Sequence, residues 1–185
     1  MPSAIEILGF LTGAGSVWLY ARQRVAAWPL GIANSLFWLV LFWRSRLYLD
    51  SGLQGVYVAL GLLGWYCWRR DDHLPVTRTL PRQAAVLAAI VVVGSAGLWA
   101  IEARWTDSAM PGWDSSTTVV SLVAQYMLTR KLLGSWWLWI AVDIAYLAMY
   151  ASQSLYLTAA LQPVFIALCL QGRRDWRRTL TPAVA

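Results

Sequence analysis

This chain is short of charge, of histidine and of cysteine, and each shortage excludes something. Charged residues make up 13% of its 185 positions and hydrophobic ones 59%, whereas a soluble globular domain carries charge on about a quarter of its residues. The one histidine, His73, lies in the polar stretch RRDDHLP and reads as solvated. The two cysteines, Cys67 and Cys169, sit in or at the ends of apolar windows with no CxxC or Cys/His grouping. They read as small core-filling residues, and neither a metal nor an organic cofactor is expected. Without a nucleophile beside a base, or a metal cluster, a membrane-embedded enzyme is disfavoured. The chain holds no GxxxxGK[ST] loop, which argues against ATP-driven transport. Acids are outnumbered by bases, nine to fifteen, for a formal net charge of +6. The bases fall in short clusters between apolar windows, an arrangement that orients a chain in a membrane and forms no nucleic-acid-binding stripe. The N-terminal MPSAIEILGFLTGAG lacks a basic n-region and a convincing cleavage site, so it reads as a first span rather than a signal peptide.

Apolar windows fill almost all of the chain. They predict an all-α polytopic membrane protein with seven transmembrane helices near 5–21, 28–43, 49–68, 83–101, 114–129, 136–150 and 154–172. Pro75, Pro81 and Pro111 stand in the long breaks, where helix ends are expected. With seven spans, twelve of the fifteen basic residues share one side, and Arg44, Arg46 and Arg104 occupy the other. That asymmetry predicts an external N-terminus and a cytoplasmic C-terminus.

An internal repeat runs through the windows. Displaced by 108 positions, Trp28 falls on Trp136, Ile32 on Ile140, Gln54 on Gln162, Gly64 on Gly172, and Trp68-Arg69-Arg70 on Trp176-Arg177-Arg178. The repeat covers spans 1–3 and 5–7. Three is odd, so the second unit would insert upside down unless one helix reversed the chain, and the bland VLAAIVVVGSAGLWAI of span 4 does that. The predicted organisation is a first triple-helix repeat at 1–72, a linker helix with its loops at 73–112, a second repeat at 113–178 and a tail at 179–185. Parallel repeats of this kind hold their substrate between the halves near the midplane.

Span 6 carries the chemistry. In WWLWIAVDIAY an acid stands in an otherwise apolar helix, at a cost of roughly 2.5–3.5 kcal/mol at the bilayer centre. Trp136, Trp139, Asp143, Tyr146 and Tyr150 recur every three or four residues and share one face. Asp143 lies about 10 Å along the axis from Trp136. Aromatic rings leading to a buried acid suit an organic cation; interfacial tryptophans, with Asp143 paired to a neighbouring helix, are the plainer alternative. Gln54 and Gln162 lie at equivalent depths and could bridge helices or bond a substrate. Asn34, Ser35, Ser121 and Gln125 are secondary candidates, and Pro163 beside Gln162 predicts a kink. Asp143 corresponds to Ser35 and Trp139 to Gly31 across the repeat, so the expected site is asymmetric.

The spacing Trp136-x-x-Trp139-x-x-x-Asp143 resembles the WxxWxxxN/D motif of the PnuC-type vitamin transporters. WPLGIANS (28–35), LYLDSGLQ (47–54), GWYCW (64–68), SLVAQYMLTRK (121–131) and LYLTAALQ (155–162) resemble segments of the same family, so the likeness covers the whole chain. The resemblance implies a 3+1+3 helix arrangement like that of the SWEET sugar transporters, a homotrimer in the cytoplasmic membrane, and facilitated uptake of nicotinamide riboside trapped by an intracellular kinase. It implies substrate contacts at Trp136, Trp139 and Asp143, and at Gln54 and Gln162. Members with Asn at the position of Asp143 imply that the acid is not needed for folding. Thiamine, another cation, stays open as the cargo, riboflavin less so, and proton coupling through Asp143 or Glu6 also stays open.

Overall fold

The structure is a computed structural model that describes residues 4–44, 46, 48–71, 74–105, 111–154 and 156–180. His73, the middle of the break at 102–114 and residues 181–185 of the tail lie outside them. Among the described residues seven helices follow one another: α1 (Ala4–Ala21), α2 (Ala27–Arg44), α3 (Tyr48–Arg70), α4 (Pro81–Trp105), α5 (Pro111–Thr129), α6 (Ser135–Ser152) and α7 (Tyr156–Arg178). Pro81 and Pro111 open their helices, where a missing N–H costs nothing. Pro163 stands inside α7, which continues through it as one helix.

The displacement of 108 residues maps α2 onto α6 and α3 onto α7 to the residue at both ends, and the end of α1 onto the end of α5. Even the helix exits repeat. Gln23 and Lys131 take positive φ (54° and 49°), as do Arg46 and Ser154 (62° and 61°). Behind the first pair, Arg24 N–H donates to Leu19 O and Leu132 N–H to Met127 O, both at 3.0 Å. These are the i→i−5 bonds that satisfy the last carbonyls of a helix closed by a left-handed residue.

α1 packs on α2 and α7, α3 on α2 and α5, and α6 on α5 and α7. The six repeat helices therefore close a ring, α1–α2–α3–α5–α6–α7, with two pseudo-equivalent seams where the halves meet, α3 against α5 and α7 against α1. Among the described residues α4 packs on α5 alone. By length and composition only Pro81–Arg104 qualifies as a membrane span among the described residues.

α7 runs six residues past the expected end at 172. Trp176 explains this: its ring is fully buried, so packing carries the helix beyond its apolar run. Trp28 meets Trp68 edge-on at 5.3 Å and 84°, and Trp136 meets Trp176 at 5.2 Å and 85°. Trp68 and Trp176 then touch across the pseudo-axis at 6.1 Å. Trp68 Nε1 donates to Thr129 O at 3.2 Å and Trp176 Nε1 to Tyr20 O at 3.0 Å, each tying one repeat to the first helix of the other. Four buried indoles, in two edge-to-face pairs joined by a tilted contact, form a plug at the arginine-rich end, each edge-to-face pair contributing about 0.5–1.5 kcal/mol beyond its buried area.

The loops of that end join as well. Thr77 N–H donates to Lys131 O at 3.2 Å and Leu133 N–H to Thr77 O at 2.9 Å, while Gln23 Nε2 donates to Thr179 Oγ1 at 3.0 Å. Lys131 lies over the Trp68 ring at 4.7 Å. Burial pushes its ammonium below the ordinary lysine range, and Asp71 nearby opposes that shift.

Candidate functional site

The ring encloses a cavity of about 1270 Å³. Toward the arginine-rich end it stops at Tyr20, Leu128 and Trp136, above the tryptophan plug; toward the other end Arg46, Asp50, Asp114 and Tyr150 line it. All eight residues expected from the sequence, Trp136, Trp139, Asp143, Tyr146, Gln54, Gln162, Asn34 and Gln125, line this one space. Their surroundings give them different parts.

Trp136 is mostly structural. Its ring is 1% exposed and is held between Trp176 and Gly172, where a Cβ would stand 2.6 Å from the ring. It offers the cavity an edge of its floor. Trp139, one turn further along the same face, is only partly buried and lines the cavity. Trp137 points elsewhere: it is 52% exposed, with the Arg173 guanidinium over its ring at 4.4 Å.

Asp143 is buried, and its one described partner is uncharged: Cys169 on α7 donates its thiol to Oδ2 at 3.7 Å. No cationic side chain among the described residues lies within ion-pair distance. Cys169 fills the core as expected, but it also lines the cavity and bonds the acid, a contact that the spacing of residues in the sequence does not reveal.

The glutamines are uncommitted. Gln162 is buried, Gln54 half-buried, and neither amide bonds another described residue. Interhelical bridging therefore does not account for them here. Asn34 is the opposite case, because its Nδ2 donates to Gly9 O at 3.0 Å and Thr12 Oγ1 at 2.6 Å and fastens α2 to α1. Gln125 is buried and lines the cavity. Ser35 lines the cavity, whereas Ser121 is spent on the α3/α5 seam, where it bonds the Tyr57 hydroxyl.

The repeat also locates lining residues that composition and helical spacing do not single out. Tyr146 stacks on Tyr150 at 5.8 Å and 18°, and 108 positions earlier Trp38 stacks on Phe42 at 5.6 Å and 28°. Both pairs line the cavity. Register alone would have found Trp38 and Phe42.

The asymmetry is equally physical. Opposite Trp139, Gly31 leaves room for Tyr20, whose hydroxyl lies 2.8 Å from where a Cβ on Gly31 would stand. One half of the cavity thus presents an acid and an indole, the other a serine and a phenol. Among the lining residues Asp50, Glu102, Asp114 and Asp143 face a single base, Arg46. Such a cavity attracts cations and repels anions.

A family model described as nicotinamide mononucleotide transporter matches residues 3–178. The chain is 24% identical to the nicotinamide riboside transporter PnuC of Escherichia coli (strain K12) over 94% of this chain and 85% of that protein. It is also 24% identical to the riboflavin/roseoflavin transporter RibM of Streptomyces davaonensis, over 92% and 83%. The crystal structure of a vitamin B3 transporter PnuC shares its fold, with a TM-score of 0.74 at 22% identity over 93% of this chain and 80% of that one.

Proposed function

The chain belongs to the nicotinamide mononucleotide transporter family, and from that premise we propose that it carries nicotinamide riboside across the cytoplasmic membrane by facilitated diffusion. As a member it is a multi-pass membrane transporter and not an enzyme. One observation carries the choice of cargo: Asp143 is a buried carboxylate facing the cavity with no cation of the described residues beside it. A pyridinium ring supplies that charge and stacks on Trp139, where a desolvated cation–π contact adds about 2 kcal/mol. The carboxamide and ribose hydroxyls meet Gln54 and Gln162, whose hydrogen-bonding groups are unspent. The excess of carboxylates favours the riboside over the mononucleotide, because a phosphate would enter against them.

The same features accommodate thiamine, also cationic, as the alternative cargo. Riboflavin is supported by the likeness to RibM, but it is neutral and leaves Asp143 without a counter-ion. In this reading the N-terminus is external and the C-terminus cytoplasmic, consistent with the sharing of twelve bases by one side. The repeats, arranged as in the SWEET fold, rock about the tryptophan plug to expose the site alternately. The chain assembles in the lipid bilayer as a homotrimer, and a cytoplasmic kinase traps the vitamin.

Uptake of labelled nicotinamide riboside into proteoliposomes that contain no kinase tests the transport mode. The label should rise until inside and outside concentrations match, with or without an imposed pH gradient. Accumulation above the external level driven by that gradient would establish proton coupling instead.

A further inference from the structure

A second, smaller cavity of about 320 Å³ opens at the arginine-rich end, and its chemistry is the reverse of the first. Arg78 and Thr79 line it from the α3–α4 segment, Gly134 and Trp137 from the start of α6, and Arg173 and Arg177 from the end of α7. No lining residue is acidic. Among the described residues none of these three arginines is in an ion pair; the pair present nearby, Arg178 with Asp175 at 3.8 Å, leaves them out.

Two buried polar atoms of this lining have no partner among the described residues, Arg173 Nε and Thr79 Oγ1. Proteins rarely leave such groups unsatisfied, and two on residues that line one cavity point to an acceptor that binds there. The guanidinium of Arg173 is laid on the Trp137 ring at 4.4 Å, which fixes the direction of its N–H groups before anything binds. Gly134 lets the Thr79 hydroxyl approach closely, since a Cβ there would stand 2.7 Å from Thr79 Oγ1.

We propose that this cavity is a binding site for a phosphate ester. The planar forks of Arg173 and Arg177 bond its oxygens in pairs, Arg78 closes over it from the loop, and the Thr79 hydroxyl donates from below. Trp137, half-exposed beside the arginines, matches the depth at which aromatic rings and basic pockets meet lipid headgroups. The same donors also suit a soluble phosphorylated small molecule.

The test uses the purified full chain in neutral detergent, titrated separately with dioctanoyl phosphatidylglycerol and with inorganic phosphate, by calorimetry and native mass spectrometry. At least one probe should bind saturably, one per chain. The double change Arg173→Gln with Arg177→Gln should weaken it at least tenfold. Arg78→Gln, on an exposed segment where it cannot unfold a helix, and Thr79→Val, which removes no charge, should each weaken it severalfold. Arg130→Gln, at the same end but outside the lining, should change nothing. Binding of phosphatidylglycerol alone assigns the site to a lipid headgroup, and binding of inorganic phosphate alone assigns it to a soluble ligand. The proposal is overturned if neither probe binds. It is equally overturned if Arg78→Gln and Thr79→Val bind like the wild type, or if Arg130→Gln weakens binding as much as they do.

Discussion

Asp143 and Trp139 separate what is held from what holds. Asp143→Ala removes the one buried charge of the inner cavity together with its bond to Cys169. Loss of a charge-assisted contact of about 1.5–3 kcal/mol should weaken binding of a cationic vitamin by roughly ten- to a hundredfold. The folded protein should survive, because no ion pair of the described scaffold depends on the acid. Calorimetry beside size-exclusion chromatography reads both effects, and a protein that aggregates on this change would make Asp143 structural. Trp139→Ala should weaken binding by about thirtyfold, on the order of 2 kcal/mol, while Trp137→Ala, outside the cavity, should leave it within about twofold. The reverse order would put the substrate on the other face of α6. That these two residues line the cavity was legible in the sequence because a carboxylate is costly in an apolar helix and an aromatic stripe leading to it matches a cation. The bonds of Asn34 to α1 were not legible, since its depth in the helix does not reveal them.

At the scale of elements the controlling feature is a glycine set against a tryptophan, used twice. A Cβ on Gly64 would collide with the Trp28 ring as one on Gly172 would with Trp136. Gly172→Ala and Gly64→Ala should each destabilise the protein by about 1–3 kcal/mol through overpacking, Gly64→Ala the more, because its Cβ would lie closer to the Trp28 ring than one on Gly172 to Trp136. Thermal unfolding in detergent measures this, and an unchanged midpoint in either variant would contradict the packing described. The helix boundaries were largely readable because apolar runs, prolines and charge clusters mark them locally. The last six residues of α7 were not, because their helicity depends on burial of Trp176 against partners remote in sequence. The cavity lining was half-readable for the same reason: the pattern on α6 is strong, whereas Trp38 and Phe42 on α2 show as lining only through their equivalence to Tyr146 and Tyr150.

Across the whole molecule, a closed ring of two like halves is plugged by indoles at one end and lined by carboxylates toward the other. The proposed orientation predicts that, with Cys67 and Cys169 replaced by serine, a cysteine at Arg46 is labelled from outside intact cells by an impermeant thiol reagent. One at Arg177 is not. Labelling of the second alone would invert the topology. The central claim, that the asymmetric acid selects a cationic vitamin, is tested most directly by calorimetric titration of the purified protein with nicotinamide riboside, thiamine and riboflavin side by side. Nicotinamide riboside should bind most tightly, and Asp143→Ala should remove most of its advantage over neutral riboflavin. Tighter binding of riboflavin, or an affinity for nicotinamide riboside unchanged by Asp143→Ala, would contradict the account.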